Sequence, residues 1–261
     1  MTNDARHGQA ENTCCPILEL RRYTLHPGRR DDLITLFDRE FVESQEAVGM
    51  RVVGQFRDRD DPERFVWLRG FRDMGSRAEA LAAFYGGPVW KAHRDEANGT
   101  MIDSDDVLLL RPAAPGTGFD LSGAVRPTAG DAATAAPPAH DEAASSWFTA
   151  TICHPGIPGD EFARFFDDRV APLLAETGAA PLARLLTEHA ENTYPALPVR
   201  TGEDVFVWFS AFASRERHDE HAARLARSER WAREVLPELS ARLVSPPERL
   251  NLTPTARSLL R

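Results

Sequence analysis

The stretch Phe65-Val66-Trp67-Leu68-Arg69-Gly70-Phe71 returns as Phe206-Val207-Trp208-Phe209-Ser210-Ala211-Phe212, at an offset of 141 residues. The same offset carries Trp90 onto Trp231. A strand and a landmark beyond it that recur together mean that the chain holds two copies of one unit. Upstream, His26-Pro27-Gly28 recurs as His154-Pro155-Gly156 at an offset of 128, so 13 extra residues lie between the anchors of the second copy. The Pro-, Asn- and Gly-bearing stretch 189–203 is the expected insertion.

Within the first copy, alternation from Ile17 to Leu25 predicts a strand that Pro27-Gly28 turns. Leu33, Leu36, Phe37, Phe41 and Val48 recur near helical spacing, and Gly49 suits the position just past a helix end. Arg51 to Arg57 and Phe65 to Phe71 form a predicted hairpin around the turn at Asp58 to Pro62. Helical stretches follow from about Ser76 to Phe84 and from Val89 to about Met101, and Val107 to Arg111 closes the unit as a strand. The order βαββαβ is the ferredoxin-like split arrangement, a four-stranded antiparallel sheet with both helices on one face. The bare face needs a cover, and the second copy is the nearest one. The expected fold is therefore α+β: two tandem ferredoxin-like βαββαβ repeats pairing their sheets into an intramolecular barrel. The boundaries expected are a tail at 1–15, a first repeat at 16–112, an Ala/Pro/Gly-rich linker at 113–145, a second repeat at 146–253 and a C-terminal tail at 254–261.

With 261 residues, 42% of them hydrophobic, the chain can bury a substantial core without staples. Its net charge of −9 and interspersed signs give no basic footprint for nucleic acid. No apolar run approaches a membrane span, and the polar start lacks a signal-peptide core. Nearly all the positive charge is arginine, with Lys91 the one lysine, as in a GC-rich bacterial genome. The cysteines Cys14, Cys15 and Cys153 are odd in number and lack metal spacing, and the adjacent pair does not easily bridge, which suits a reducing cytoplasm. The expected partners are a small molecule and, in a homo-oligomer, other copies of the chain.

The run Leu18-Glu19-Leu20-Arg21-Arg22-Tyr23-Thr24-Leu25-His26-Pro27-Gly28, with Trp90-Lys91-Ala92-His93-Arg94-Asp95-Glu96-Ala97-Asn98 and the ending Leu108-Leu109-Leu110-Arg111-Pro112, resembles the NIPSNAP family from Ile17 to Pro112. The resemblance implies the dimeric α+β barrel fold and no particular reaction. The second copy keeps only His-Pro-Gly, Phe-Val-Trp and Trp231; Glu234 stands in place of His93 and Leu239 in place of Asn98. Any role of the family's helix motif is thus confined to the first copy.

Strand alternation divides Val66, Leu68 and Gly70 from Phe65, Trp67, Arg69 and Phe71. The aliphatic set, with Leu18 and Leu20, is expected under the helices. The aromatic and charged set, with Glu19, Arg21, Tyr23 and Gln55, is then expected in the barrel lumen, joined by Trp208 from the second copy. In such a lumen Arg21, Gln55, Trp67, Arg69 and Trp208 are the candidate ligand-binding residues, and Glu19 and Tyr23 are candidate catalytic groups. The competing reading is a structural ion pair between the arginines and Glu19, with both tryptophans in the core.

His93 is the third catalytic candidate. It is a general base or, because some enzymes of this superfamily bind haem through a helical histidine, a haem ligand; packing at a sheet edge is its structural alternative. No motif demands a cofactor. His26 and His154 precede Pro-Gly turns and serve the turns. His218 and His221, on an exposed-looking helix, have no metal spacing, so zinc is not expected. Gly86-Gly87-Pro88 is no phosphate loop, and Cys153 and His154 point to opposite faces of a strand. The reading that follows is a small-molecule barrel accommodating an aromatic or polyketide-like ligand, for proton-transfer, isomerase, cyclase or oxygenase chemistry. Its alternative is a non-catalytic binding or protein-interaction scaffold.

Overall fold

Alternating apolar residues make strand β1 (Ile17–Leu25) buried on both faces, and its neighbours share that character. A computed structural model describes residues 14–130 and 146–261. It contains β2 (Arg51–Asp58), β3 (Arg64–Phe71), β4 (Met101–Pro112), β5 (Trp147–Cys153), β6 (Ala183–Thr187), β7 (Phe206–Phe212) and β8 (Glu248–Pro254). All pairings are antiparallel, and the sheet closes in the order β1-β3-β2-β8-β5-β7-β6-β4. Each half thus contributes four adjacent strands, ordered fourth, first, third, second. The halves meet at two seams, Phe56 opposite Pro254 and Leu110 opposite Thr187.

Helix α1 (residues 30–46) carries a π-turn at Phe37–Phe41 and ends at Gly49, whose φ of 94° lets the chain turn into β2. Helices α2 (Met74–Gly86) and α3 (Pro88–Asn98) are separated by Gly87. In the second half, α4 (residues 159–177) has its π-turn at Phe166–Val170, α5 is Arg215–Arg227, and α6 (residues 231–240) begins with one at Trp231–Val235. The 141-residue offset extends to the caps. Asp73 accepts from the Ser76 N–H and Ser214 from the Arg217 N–H, each closing an orphan donor of its helix.

The barrel interior reverses the expected faces. Leu18, Leu20, Val66 and Leu68 meet Ala150, Ile152, Val207, Phe209, Leu250 and Leu252 inside it, with Phe56 and Phe148 in ring contact at 5.3 Å. Tyr23, Phe65, Trp67 and Phe71 lie outside, among Leu33, Phe37, Phe41, Leu81 and Phe84 of the first half's helices. An eight-stranded barrel leaves an interior just wide enough for side chains to fill, and branched aliphatics fill it best. The larger aromatic and charged groups take the layer between sheet and helices. Phe119, Leu121, Leu259 and Leu260 add to the interior from the segments after β4 and β8, so the lumen is packed.

Three segments expected to be peripheral are structural. Residues 188–205 run from β6 back across the first half: Glu188 N–H donates to Leu109 O and Arg200 N–H to Val107 O, both at 2.9 Å. Tyr194 stacks on Tyr85, and Leu197 and Val199 pack against the first half's core. The C-terminal residues are held by Arg257 on Glu43 and by the Ser258 hydroxyl, which accepts from Gln55 N–H at 3.1 Å. Cys14 and Cys15, expected as separate thiols, are bonded to each other, with Cys15 buried over Gly70. The last part of the expected linker, 131–145, and the tail before residue 14 lie outside the described residues. Among the described residues, no helix is long and apolar enough to cross a membrane.

Candidate functional site

Two sheet–helix layers, one per half, hold the groups with chemical potential. In the first, Glu19 pairs across the sheet with Arg69, and Arg21 with Trp67. The Glu19 carboxylate accepts from Arg21, Arg69 and Arg77, each at 2.7 Å, and all four side chains are essentially inaccessible to solvent. Burial alone would raise the Glu19 carboxyl, but the guanidiniums of Arg69, Arg21 and Arg77 hold it far below the ordinary range. Burial lowers Arg77, opposed by Glu19 and reinforced by Arg69 and Arg21. Tyr23 accepts from Arg21 Nε at 3.0 Å. Residues 192–193 of the crossing segment complete the layer, with Asn192 Oδ1 2.9 Å from Arg77 Nη1. Glu19, Arg21, Tyr23, Trp67 and Arg69 therefore come together as expected, but between sheet and helices.

Gln55 and His93 stand apart from that cluster. Gln55 donates to Asp38 Oδ1 at 2.6 Å and accepts from Arg126. Burial pushes the Asp38 carboxyl up to about 6, the Gln55 hydrogen bond and Arg257 opposing. His93, on α3, places its ring nitrogens 3.5 Å from Glu40 and 3.6 Å from Glu96, with the Phe41 ring in a T-shaped contact at 6.4 Å. An axial haem ligand needs open space beyond its nitrogen, and both of these face carboxylates. The position does not fit a haem. Among the described residues, no group of three or more His, Cys, Asp or Glu is placed to hold a metal.

The second layer contains a cavity of about 450 Å³. Its floor is the outer face of β5, β7 and β8, with Thr149, Thr151, Trp208, Ser210 and Arg249. Its roof is α4, α5 and α6, with Leu174, His218, His221, Ala226 and Trp231, and the exposed Leu236, Pro247 and Arg249 mark its mouth.

The cavity lies where the second half carries smaller side chains than the first. In the barrel register Thr149 faces Ser210 where Glu19 faces Arg69, and Thr151 faces Trp208 where Arg21 faces Trp67. On the helix, the 141-residue offset replaces Arg77 by His218, Phe84 by Leu225 and Tyr85 by Ala226. Four charged side chains, Glu19 and three arginines, and a phenol thus have no counterpart in this layer.

His221, at the position of Ala80, is the buried functional group of this cavity and was missed as a residue of an exposed helix. Only 8% of it is accessible, and its Nδ1 has no hydrogen-bond partner among the described residues. Burial lowers its pKa, partly offset by a hydrogen bond from the ring to the Thr177 backbone. The imidazole is thus neutral near pH 7, with the donor on Nε2 and a lone pair on Nδ1. Phe212 packs on the ring at 5.5 Å. A small titratable pocket with aromatic walls and one acceptor can bind a planar molecule and take a proton from it. The cue present in the sequence is the exchange of large for small residues at the 141-residue offset.

Cys153, expected to have no catalytic role beside His154, is fully buried, and burial pushes its thiol up to about 12. His154 instead meets Glu203 at 3.1 Å.

The chain is similar over nearly its whole length to several solved structures. A candidate monooxygenase from Fusobacterium nucleatum matches with a TM-score of 0.53 and 10% identity, covering 92% of this chain and 93% of that one. An anthrone oxidase-like protein matches at 0.51 and 14%, covering 94% and 93%. A dye-decolorizing peroxidase from Bacteroides thetaiotaomicron matches at 0.51 and 9%, covering 93% of each chain. At these identities the likeness is one of fold, an α+β barrel. Among curated proteins nothing matches significantly. The NIPSNAP family profile matches residues 18–115, the strands and helices of the first half with the residues just beyond. Residues 18–115 are thus similar to the NIPSNAP family.

Proposed function

We propose that this protein is a small-molecule-binding α+β barrel with one site per chain, the sheet–helix cavity of the second half. The observation that carries the reading is His221: a buried imidazole with an unpartnered Nδ1, in a cavity whose first-half counterpart is filled. The halves are read as diverged ferredoxin-like copies spanning about 16–112 and 146–253, supported by the shared strand order and the two caps at one offset. The first is a closed structural layer and the second a binding layer. The barrel closes within one chain, so no partner copy is needed to complete the site.

The ligand class that suits these walls is a planar aromatic bearing an acidic hydroxyl. Trp208 and Trp231 supply flat apolar surface, Thr149, Thr151 and Ser210 supply hydroxyls, and Arg249 at the mouth offers a cation to an anionic substituent. The phenolic proton moves to His221 Nδ1, leaving an electron-rich anion beside an imidazolium that keeps its Thr177 hydrogen bond. Such an anion is a starting point for isomerisation, for cyclisation and, with dioxygen as the oxidant, for oxygenation. The neighbours described as a monooxygenase candidate and an anthrone oxidase-like protein support this class of chemistry. Of the residues expected to bind ligand, Trp208 has this role in the proposal, while Arg21, Trp67 and Arg69 shape the first layer.

The test is a fluorescence titration with 2-naphthol, read by quenching of tryptophan emission, in the wild type and in Ala226→Tyr. That variant installs the residue found at the equivalent first-half position and narrows the cavity beside His221. Saturable quenching that disappears in Ala226→Tyr with an unchanged or raised Tm is expected. Undiminished quenching in the variant places the ligand elsewhere and refutes the reading. His221→Phe separates catalysis from binding: it retains quenching and loses the upward shift in naphtholate fraction that a proton acceptor produces.

A further inference from the structure

The cavity of the second half is lined by two imidazoles, and only one of them has been given a role. His218 and His221 lie one turn apart on α5, and the Phe212 ring contacts both, its centroid 5.2 Å from His218 and 5.5 Å from His221. Residues three apart on a helix carry their Cβ atoms about 5–6 Å apart. A hydroxyl oxygen and the ring carbon beside it can therefore each meet one imidazole.

The two rings are held by opposite nitrogens. His221 turns one nitrogen to the Thr177 backbone, and its Nδ1 has no partner among the described residues. His218 places its Nδ1 3.0 Å from Asp219 Oδ1, which leaves Nε2 for the cavity. In the first half the equivalent residue, Arg77, gives its Nε to Glu19 at 2.7 Å. Thr149 stands at the place of Glu19, so β5 offers His218 no carboxylate there. The ring packs instead against Trp147, at 5.7 Å, and Phe212.

The surrounding charges set a polarity between the pair. Asp219 balances a proton on His218, and Arg215, one turn earlier on α5, approaches that carboxylate only to 3.8 Å. No carboxylate lines the cavity among the described residues, while Arg249 of β8 does. Burial lowers the His221 imidazole, opposed by Thr177, and a charge on His218 lowers it further, as do Arg249 and Arg224. A proton held at His218 thus keeps His221 a base. One space then contains a general acid and a general base.

We infer that His218 is the general acid paired with His221, and that this cavity catalyses keto–enol tautomerisation of a hydroxylated aromatic. The inference rests on reading the cavity as the ligand site. The ligand O–H bond breaks and an N–H bond forms at His221 Nδ1, and the oxygen's electron pair becomes the second bond of the C=O group. The displaced ring π electrons take the proton from His218 Nε2 at the carbon next to the C–O carbon. One proton leaves the ligand and one enters it, so the step consumes no oxidant or reductant. Exchange with solvent at the mouth returns both histidines to their starting forms.

The experiment is proton NMR of 2-naphthol in D2O with the full chain, following loss of the C1–H signal. The keto tautomer carries one proton and one deuteron at C1 and returns to naphthol by losing either. Exchange faster than that of the free probe is expected in the wild type. In His218→Gln it slows about a hundredfold, as for a lost general acid, while the half-saturating concentration for tryptophan quenching stays the same. Asp219→Asn, at an exposed position, slows exchange as well and leaves Tm unchanged, a result independent of how His218→Gln folds. Saturable quenching without faster exchange in the wild type overturns this inference alone. Exchange in His218→Gln at the wild-type rate also overturns it. Absence of saturable quenching in the wild type overturns the reading of the cavity, and this inference with it.

Discussion

Replacing Glu19 by glutamine removes one negative charge from the centre of three arginines and changes almost no volume. The three contacts are 2.7 Å each, and neither the carboxylate nor its partners reach solvent. Breaking a single buried pair by deleting one partner is strongly destabilising, about 3–5 kcal/mol, because the remaining charge is left unpaired. Here three guanidiniums lose the same counter-ion, so a loss at the upper end, ~5 kcal/mol, is expected against a typical total of about 5–15 kcal/mol. Urea unfolding at pH 7 measures it as a fall in midpoint at constant slope. The pH dependence has a definite sign. The folded carboxyl is held below its ordinary value of 4.5, so its stabilisation is complete above that pH and is lost as the pH falls below it and the unfolded state takes up the proton. Glu19→Gln therefore flattens the acid limb of the stability profile. A loss under about 1 kcal/mol, or an unchanged acid limb, refutes the view that Glu19 is the anchor of the layer.

Two further outcomes follow from the pKa directions, besides the naphthol experiments. Asp38 is pushed up from 3.8 to about 6, so stability falls as the pH rises from about 4 to 6 and stays lower above; at 1.36 kcal/mol per pH unit the difference is at most ~3 kcal/mol. Asp38→Asn keeps an acceptor for Gln55, raises the pH 8 unfolding midpoint and removes the decline between pH 4 and 6; a midpoint that drops at pH 8 contradicts the sign. Cys153, buried with its thiol at about 12, resists iodoacetamide at pH 8 in the native protein and reacts in urea; modification without unfolding contradicts the burial.

The elements of the first half are readable from the chain because their signals are local. Gly49 past α1, Pro27-Gly28 after β1 and the alternation of Phe65 to Phe71 each report a backbone preference over a few residues. The start of β4 is not legible in the sequence: Met101 to Asp106 alternates too weakly, its first half is exposed, and the expected helix runs to about Met101 while the expected strand begins only at Val107. The candidate cluster was legible in composition, since Glu19, Arg21, Trp67 and Arg69 fall on one face of paired strands. Arg77, the third arginine on Glu19, was invisible because it arrives from α2, and nothing in a strand pattern reports what a helix brings to it.

What the sequence by itself determined is most of the strand and helix inventory and the partition of each strand into two faces, all set by periodicity within short windows. Which face looks inward was decided only by the tertiary structure. Alternation is symmetric between the two sides of a sheet, and the choice depends on the volumes available on each. The closed barrel admits the branched aliphatics and leaves the arginines and aromatics to the layer beneath the helices. The same is true of the cavity. Thr149, Thr151, Ser210 and Ala226 are ordinary residues in a one-dimensional reading, and they become the walls of one space only when β5, β7 and α5 are packed together.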